Sequence, residues 1–112
     1  MSDLHLDMEA LAELEDIMED DFGTLLETYL EDAESKLKLI SDALGAGDAE
    51  ALRELAHSFK GASCNVGALP LSRLCEDVEQ LARLDNIIDI TPLLPGILSE
   101  YSQVKKILQE KI

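Results

Sequence analysis

Tryptophan is absent from this 112-residue chain, and Phe and Tyr together make up only 4% of it. The core must therefore be built from aliphatic side chains. Basic residues are also few: nine Lys and Arg against 24 Asp and Glu, a net charge of -15. Nucleic acids and anionic membranes both require a positive electrostatic footprint, so neither is an expected partner. No apolar run approaches the ~18 residues of a membrane span, and Met1 to Ala10 is acidic where a signal peptide would be basic. A soluble, cytoplasmic protein is expected. Cysteine is scarce too, and Cys64 and Cys75 fit no zinc or redox spacing. Both fall on apolar helical stripes, where a buried thiol acts as a small hydrophobe, and no structural disulfide is expected. Also missing are a Gly-rich phosphate loop, a His-Glu-x-x-His zinc motif and a calcium loop. The two histidines, His5 and His57, have no second strong ligand at helical spacing, so no metal site is expected.

What remains is an ordinary globular composition, 46% hydrophobic and 29% charged, which argues against disorder. The length suits one domain over residues 1–112, large enough to fold without a metal or disulfide staple. The acid is unevenly placed. Residues 1–50 carry 16 acidic side chains against Lys36 and Lys38, a net of -14, whereas residues 51–112 carry eight against seven, a net of -1. A charge run of this kind is ordinarily a solvated, solubilising face. Its complement is informative: the second half can meet an acidic partner without strong repulsion.

Helical periodicity runs almost throughout. Met8, Leu11, Leu14 and Met18 predict a short helix over about 7–19. Phe22, Leu26, Tyr29, Ala33, Leu37, Ile40 and Leu44 predict a long one over about 21–45, ended by Gly45-Ala46-Gly47. Asp48 is a candidate N-cap for a third over about 49–66, and Gly67 is placed to end it. Pro70 fits the first turn of a fourth over about 70–84. Residues 85–89 read as a connection, and Thr91-Pro92 opens a last helix over about 92–111 that Pro95 is placed to kink. Each stripe buries one face and wets the other. Short loops between long helices favour antiparallel neighbours. The expected fold is all-α: an up-and-down antiparallel four-helix bundle, with the short N-terminal helix packed across or capping one end.

His57 sits at the edge of the stripe Leu52, Ala56, Phe59 and Ala62. Lys60 and Gly61, three and four residues on, share its face, and Cys64 lies two turns along. An imidazole beside an ammonium is a poor place to store positive charge, and a neutral imidazole is a competent nucleophile toward phosphorus. The Lys60 ammonium, expected to be exposed, could neutralise phosphoryl oxygens. Gly61 is costly within a helix, by about 0.8–1.0 kcal/mol relative to Ala, and a flat surface beside the imidazole would offset that. Arg53, one turn before His57, and Arg73 on the next helix are candidates for a docking face toward acidic partners. From spacing alone, His57 could equally be an incidental surface histidine.

The run Ala56-His57-Ser58-Phe59-Lys60-Gly61-Ala62-Ser63-Cys64-Asn65-Val66-Gly67-Ala68, continuing through Leu74-Cys75-Glu76-Asp77-Val78-Glu79, closely resembles the histidine-containing phosphotransfer (HPt) domain. The family pattern is His-x-x-Lys-Gly, a Gly six residues later and a Leu-Cys-x-x-Leu-Glu-like segment, with Val78 here in place of the usual Leu. The resemblance implies a stand-alone bacterial phosphocarrier in a two-component phosphorelay. His57 would take a phosphoryl group on Nε2 from a receiver-domain aspartate and pass it to another receiver. Lys60 would steady the phosphoryl oxygens, and Gly61 would let the receiver approach; Arg53 and Cys64 are candidates for the same face from their positions on the helix, not from the resemblance. Glu79 stands where some relatives carry Gln bonded to the imidazole, and an acid there could orient the ring or pair with Lys60. The implied partners are receiver domains of response regulators and hybrid sensor kinases, met as a monomer. No ATP site is implied, the chain is a carrier rather than an enzyme, and the Mg2+ for transfer would belong to the receiver. His5, lacking Lys and Gly partners, would be dispensable.

Two other functions compete on composition. An acyl carrier protein is also a small acidic helical bundle, but its arm attaches at an Asp-Ser dipeptide, and none occurs here. An acidic helical adaptor that binds receivers without accepting phosphate differs only in the chemistry of His57.

Overall fold

The computed structural model describes residues 4–112, which form helices and turns with no strand among them. Helices α1 (Met8–Met18), α2 (Phe22–Ala46), α3 (Ala49–Asn65), α4 (Leu69–Arg83), α5 (Ile87–Ile90) and α6 (Leu94–Gln109) follow one another along the chain. Single 3-10 turns at Glu19–Asp21 and Thr91–Leu93 lead into α2 and α6. The four long helices close a bundle in which α2 and α4 each pack against both α3 and α6. The α3–α4 pair is the most extensive of these contacts.

Local chemistry explains the boundaries. Gly47 (φ +68°) ends α2 in the left-handed conformation that glycine adopts at least cost. The next residue, Asp48, accepts the Ala51 amide at 3.1 Å and starts α3. The chain thus reverses within two residues. Gly67 (φ +81°) makes the α3–α4 turn, and a Cβ there would stand 3.1 Å from the Asp7 carbonyl oxygen. The Asp7 amide donates to the Gly67 carbonyl at 2.9 Å, so the entry to α1 is pinned to this turn. Leu6 and Leu11, either side of this tether, are buried in the core.

Two expectations for the second half need correction. Residues 85–89 are not a plain connection: Asn86 caps the short helix α5, accepting the Asp89 amide at 3.3 Å, and Ile90 enters the core. Pro95 does not kink α6 but lies in its first turn, where a missing N–H leaves no bond unmade. The core itself is aliphatic, with Phe59 as its largest fully buried side chain. Phe59 meets Tyr101 of α6 edge-on at 6.3 Å, and the Tyr101 hydroxyl donates to Glu34 of α2 at 2.8 Å. The Tyr29 and Ser63 hydroxyls pair at 2.8 Å and join α2 to α3 behind the exposed face of α3.

Candidate functional site

Helix α3 buries Leu52, Ala56, Phe59 and Ser63, a row at spacings of four, three and four that fixes which residues face outward. His57, one position past Ala56, is turned to solvent, its side chain 64% exposed. Helix α4 buries Leu71, Cys75, Val78, Glu79 and Ala82, and so brings a carboxylate to the seam with α3. The Ser72 hydroxyl donates to the Lys60 carbonyl at 3.1 Å and ties the two helices together. Across this seam His57 Nδ1 lies 3.0 Å from Glu79 Oε2.

Glu79 is the hub. Its side chain is 1% exposed, roofed by the longer side chains that contact it. Oε2 also accepts from Arg83 Nη2 at 3.0 Å, one turn further along α4. The Lys60 ammonium stands 2.7 Å from Oε1, an ion pair without hydrogen-bond alignment, and gives its aligned bond to Glu76 Oε2 at 2.6 Å. Burial by itself would raise the Glu79 carboxyl, but Lys60, Arg83 and His57 outweigh it and hold the group down at about 2. In return Glu76, and then Glu79, raise the Lys60 ammonium above its ordinary value. Lys60 likewise lowers the Glu76 carboxyl, with Gln80 Nε2 adding a bond at 3.0 Å.

An ionised Glu79 can only accept a hydrogen bond. A neutral His57 therefore carries its proton on Nδ1, and Nε2 keeps the lone pair. The arrangement is an exposed nitrogen nucleophile, oriented by a buried carboxylate, with an ammonium one helical turn away.

Of the residues picked out in the sequence, His57, Lys60 and Glu79 meet directly. Gly61 is exposed beside them, and a Cβ there would meet nothing within 4 Å among the described residues, so their packing does not demand a glycine. Arg53 lies one turn before His57 and leans toward Glu54 at 3.7 Å rather than toward the cluster. Cys64 corrects an expectation: it is exposed, because the buried row of α3 passes through Ser63 and on to Val66. Cys75 is buried, and burial pushes its thiol up to about 12. Lys60 is not the freely exposed cation expected, being 28% exposed and held by two carboxylates. His5 lies apart from the cluster and bonds Glu100 on α6 at 2.8 Å.

Sequence reasoning missed Arg83 and the pairing role of Glu76. The signal for Arg83 was its position four residues after Glu79 on the same helix. Among the described residues no group of three or more His, Cys, Asp or Glu is placed to hold a metal ion. Nor is any helix among them long and apolar enough to cross a membrane.

The Hpt domain family model matches residues 24–109. The phosphorelay protein LuxU of Vibrio vulnificus is 26% identical over 92 residues, covering 82% of this chain and 80% of that protein. The crystal structure of histidine-containing phosphotransfer protein B from Pseudomonas aeruginosa superposes with a TM-score of 0.95 at 39% identity, over 98% of this chain and 96% of the other. The HPT domain of a sensor hybrid histidine kinase from Shewanella shares the fold, with a TM-score of 0.77 at 23% identity over 96% and 94% of the two chains.

Proposed function

This chain belongs to the Hpt domain family and serves histidine phosphotransfer in a phosphorelay, and on the geometry of the α3–α4 seam we propose that His57 is the residue that carries the phosphoryl group. The observation that carries this assignment is the 3.0 Å contact between His57 Nδ1 and the buried Glu79 carboxylate. It leaves Nε2 as the nucleophile on a ring that is largely exposed.

The donor is the acyl phosphate of a receiver-domain aspartate. His57 Nε2 attacks phosphorus, and its lone pair becomes the N–P bond. The P–O bond to the aspartate breaks, and its electron pair returns to the carboxylate. The Nδ1 proton stays in place, so the ring takes up positive charge, which Glu79 stabilises as an adjacent fixed anion. Donation to a second receiver reverses each step. Lys60, three residues along α3, turns toward the phosphoryl oxygens as they arrive, and bare Gly61 admits the receiver surface. Arg53 and Cys64 border the docking face. The magnesium ion that assists phosphoryl transfer is assigned to the receiver, and the chain itself is a carrier without an ATP site. It acts as a cytoplasmic monomer toward receivers of response regulators and of hybrid sensor kinases.

The test is incubation with phosphorylated receivers, following the label. The parent protein should acquire an acid-labile, alkali-stable phosphate, as a phosphoramidate is. His57→Gln should acquire none, and full labelling of that variant would place the acceptor elsewhere.

A further inference from the structure

Glu79 carries one negative charge and meets two cations, Lys60 from α3 and Arg83 from its own helix. One cation would suffice to compensate it. The two differ in how they are committed. Lys60 makes its aligned bond to Glu76 and touches Glu79 Oε1 out of alignment. Arg83 donates an aligned bond to Oε2, the same oxygen that His57 Nδ1 contacts. Once a phosphoryl group sits on Nε2, its dianionic oxygens attract the ammonium, and Lys60 must loosen its hold on the carboxylates to reach them. A buried carboxylate that loses a cation is strongly destabilised unless another partner remains. Arg83 is that partner.

We propose that Arg83 is a positioning residue for phosphotransfer, keeping the Glu79 carboxylate paired and aimed at His57 Nδ1 while Lys60 is engaged by the phosphoryl group. The proposal rests on the assignment of His57 as phosphoacceptor. Arg83 acts through Glu79, by fixing where Oε2 lies. Its guanidinium is half-exposed at the last turn of α4, a position where a cation also suits the helix end. A residue with only that terminal role would affect stability and nothing more.

Three variants separate the roles: Arg83→Gln, which removes the charge, Arg83→Lys, which keeps it, and Arg83→Gln combined with Lys60→Ala. The first measurement is nitrogen-15 NMR of the His57 ring at a pH where the imidazole is neutral, which reads the tautomer without any receiver. The parent and Arg83→Lys should hold the proton mainly on Nδ1. Arg83→Gln should stay close to the parent while Lys60 still pairs with Glu79, and the double variant, with no cation left on Glu79, should shift toward the Nε2–H form that an unconstrained imidazole prefers. The second measurement is single-turnover transfer from a phosphorylated receiver. Arg83→Gln should be slower by about tenfold, the lower end of the loss caused by removing an outer partner of a metal-bound imidazole. Arg83→Lys should recover most of the rate. The double variant strips Glu79 of both cations, so its loss should exceed the product of the two single losses.

A parent that labels on His57 while Arg83→Gln keeps the parent rate would overturn this inference and leave the phosphoacceptor assignment standing. Slower transfer by Arg83→Gln with a parent tautomer in the double variant would also overturn it, since Arg83 would then be touching the receiver or merely supporting the helix. A parent that never labels on His57 would instead bring down the assignment on which it rests.

Discussion

His57 Nδ1 and Glu79 Oε2 lie 3.0 Å apart across the α3–α4 seam, the imidazole 64% exposed and the carboxylate 1% exposed. In the proposed transfer the solvent-facing group would supply the reactive nitrogen, and the buried one its orientation. A mobile imidazole would present either nitrogen at random, and only one presentation is productive. The buried carboxylate is tolerable because cations from both helices compensate it.

The pairing of Glu79 should be visible in acid. Its folded carboxyl titrates at about 2, against an ordinary value of 4.5. A depressed acid contributes stability that is fully present above its unfolded pKa and is lost as pH falls through the folded one. The parent should therefore lose this contribution between about pH 4.5 and about pH 2. Glu79→Gln keeps a neutral acceptor for the ring but removes the ion pairs, at a cost on the order of 1–3 kcal/mol at neutral pH. Thermal midpoints across that pH window should converge for the two proteins as acid is added. Parallel curves would mean that Glu79 is not ionised and paired in the folded state.

The helical layout could be read from the chain because it is local: stripes at three- and four-residue spacing, and the Asp48 and Gly47 signals, act within one helix or turn. Helix α5 escaped because four residues are too few to show a period. The misplacement of Cys64 came from extending an apolar row by one residue, when the row runs from Ser63 to Val66. The site divides the same way. His57, Lys60 and Gly61 share one helix and were visible as a group. Glu79 lies 22 residues from His57, and a glutamate in an amphipathic helix ordinarily marks the wet face. The family resemblance offers two roles for it, orienting the ring or pairing with Lys60, and the packing of α3 on α4 shows it buried, in contact with both, and answered by Arg83.

On the proposed role of Lys60, Glu76 would compete with the phosphoryl group for its ammonium. Its Oε2 takes the ammonium's aligned bond at 2.6 Å, and it lies at the surface rather than under the ring. Removing that competitor should leave Lys60 freer to turn outward. Glu76→Gln should accordingly lengthen the lifetime of phosphorylated His57, whereas Lys60→Ala should shorten it and slow transfer. Isolated phosphoprotein, followed by loss of label at neutral pH, gives both lifetimes. Equal lifetimes for the parent, Glu76→Gln and Lys60→Ala would show that Lys60 never reaches the phosphoryl oxygens and that the receiver supplies the compensating charge.

Gly61 separates stability from function. It lies inside α3 with nothing within 4 Å of where a Cβ would stand, and it has no positive φ to relieve. By helix propensity alone, Gly61→Ala should stabilise the bundle by about 0.5–1 kcal/mol. No contact among the described residues opposes that change, so the reason to keep the position bare is sought in a partner. Gly61 is one turn past His57 on the same exposed face, where on the proposed function a receiver would bring its aspartyl phosphate to Nε2. A long side chain there should find room in water and obstruct that approach. Gly61→Gln should fold at least as stably as the parent, yet accept phosphoryl groups from receivers far more slowly. Phosphoramidate, a donor small enough to pass the side chain, should label the parent and the variant at similar rates. The measurements are the thermal midpoint and labelling by each donor. Parent-like transfer from receivers to a stable Gly61→Gln protein would move the docking surface off this face of α3.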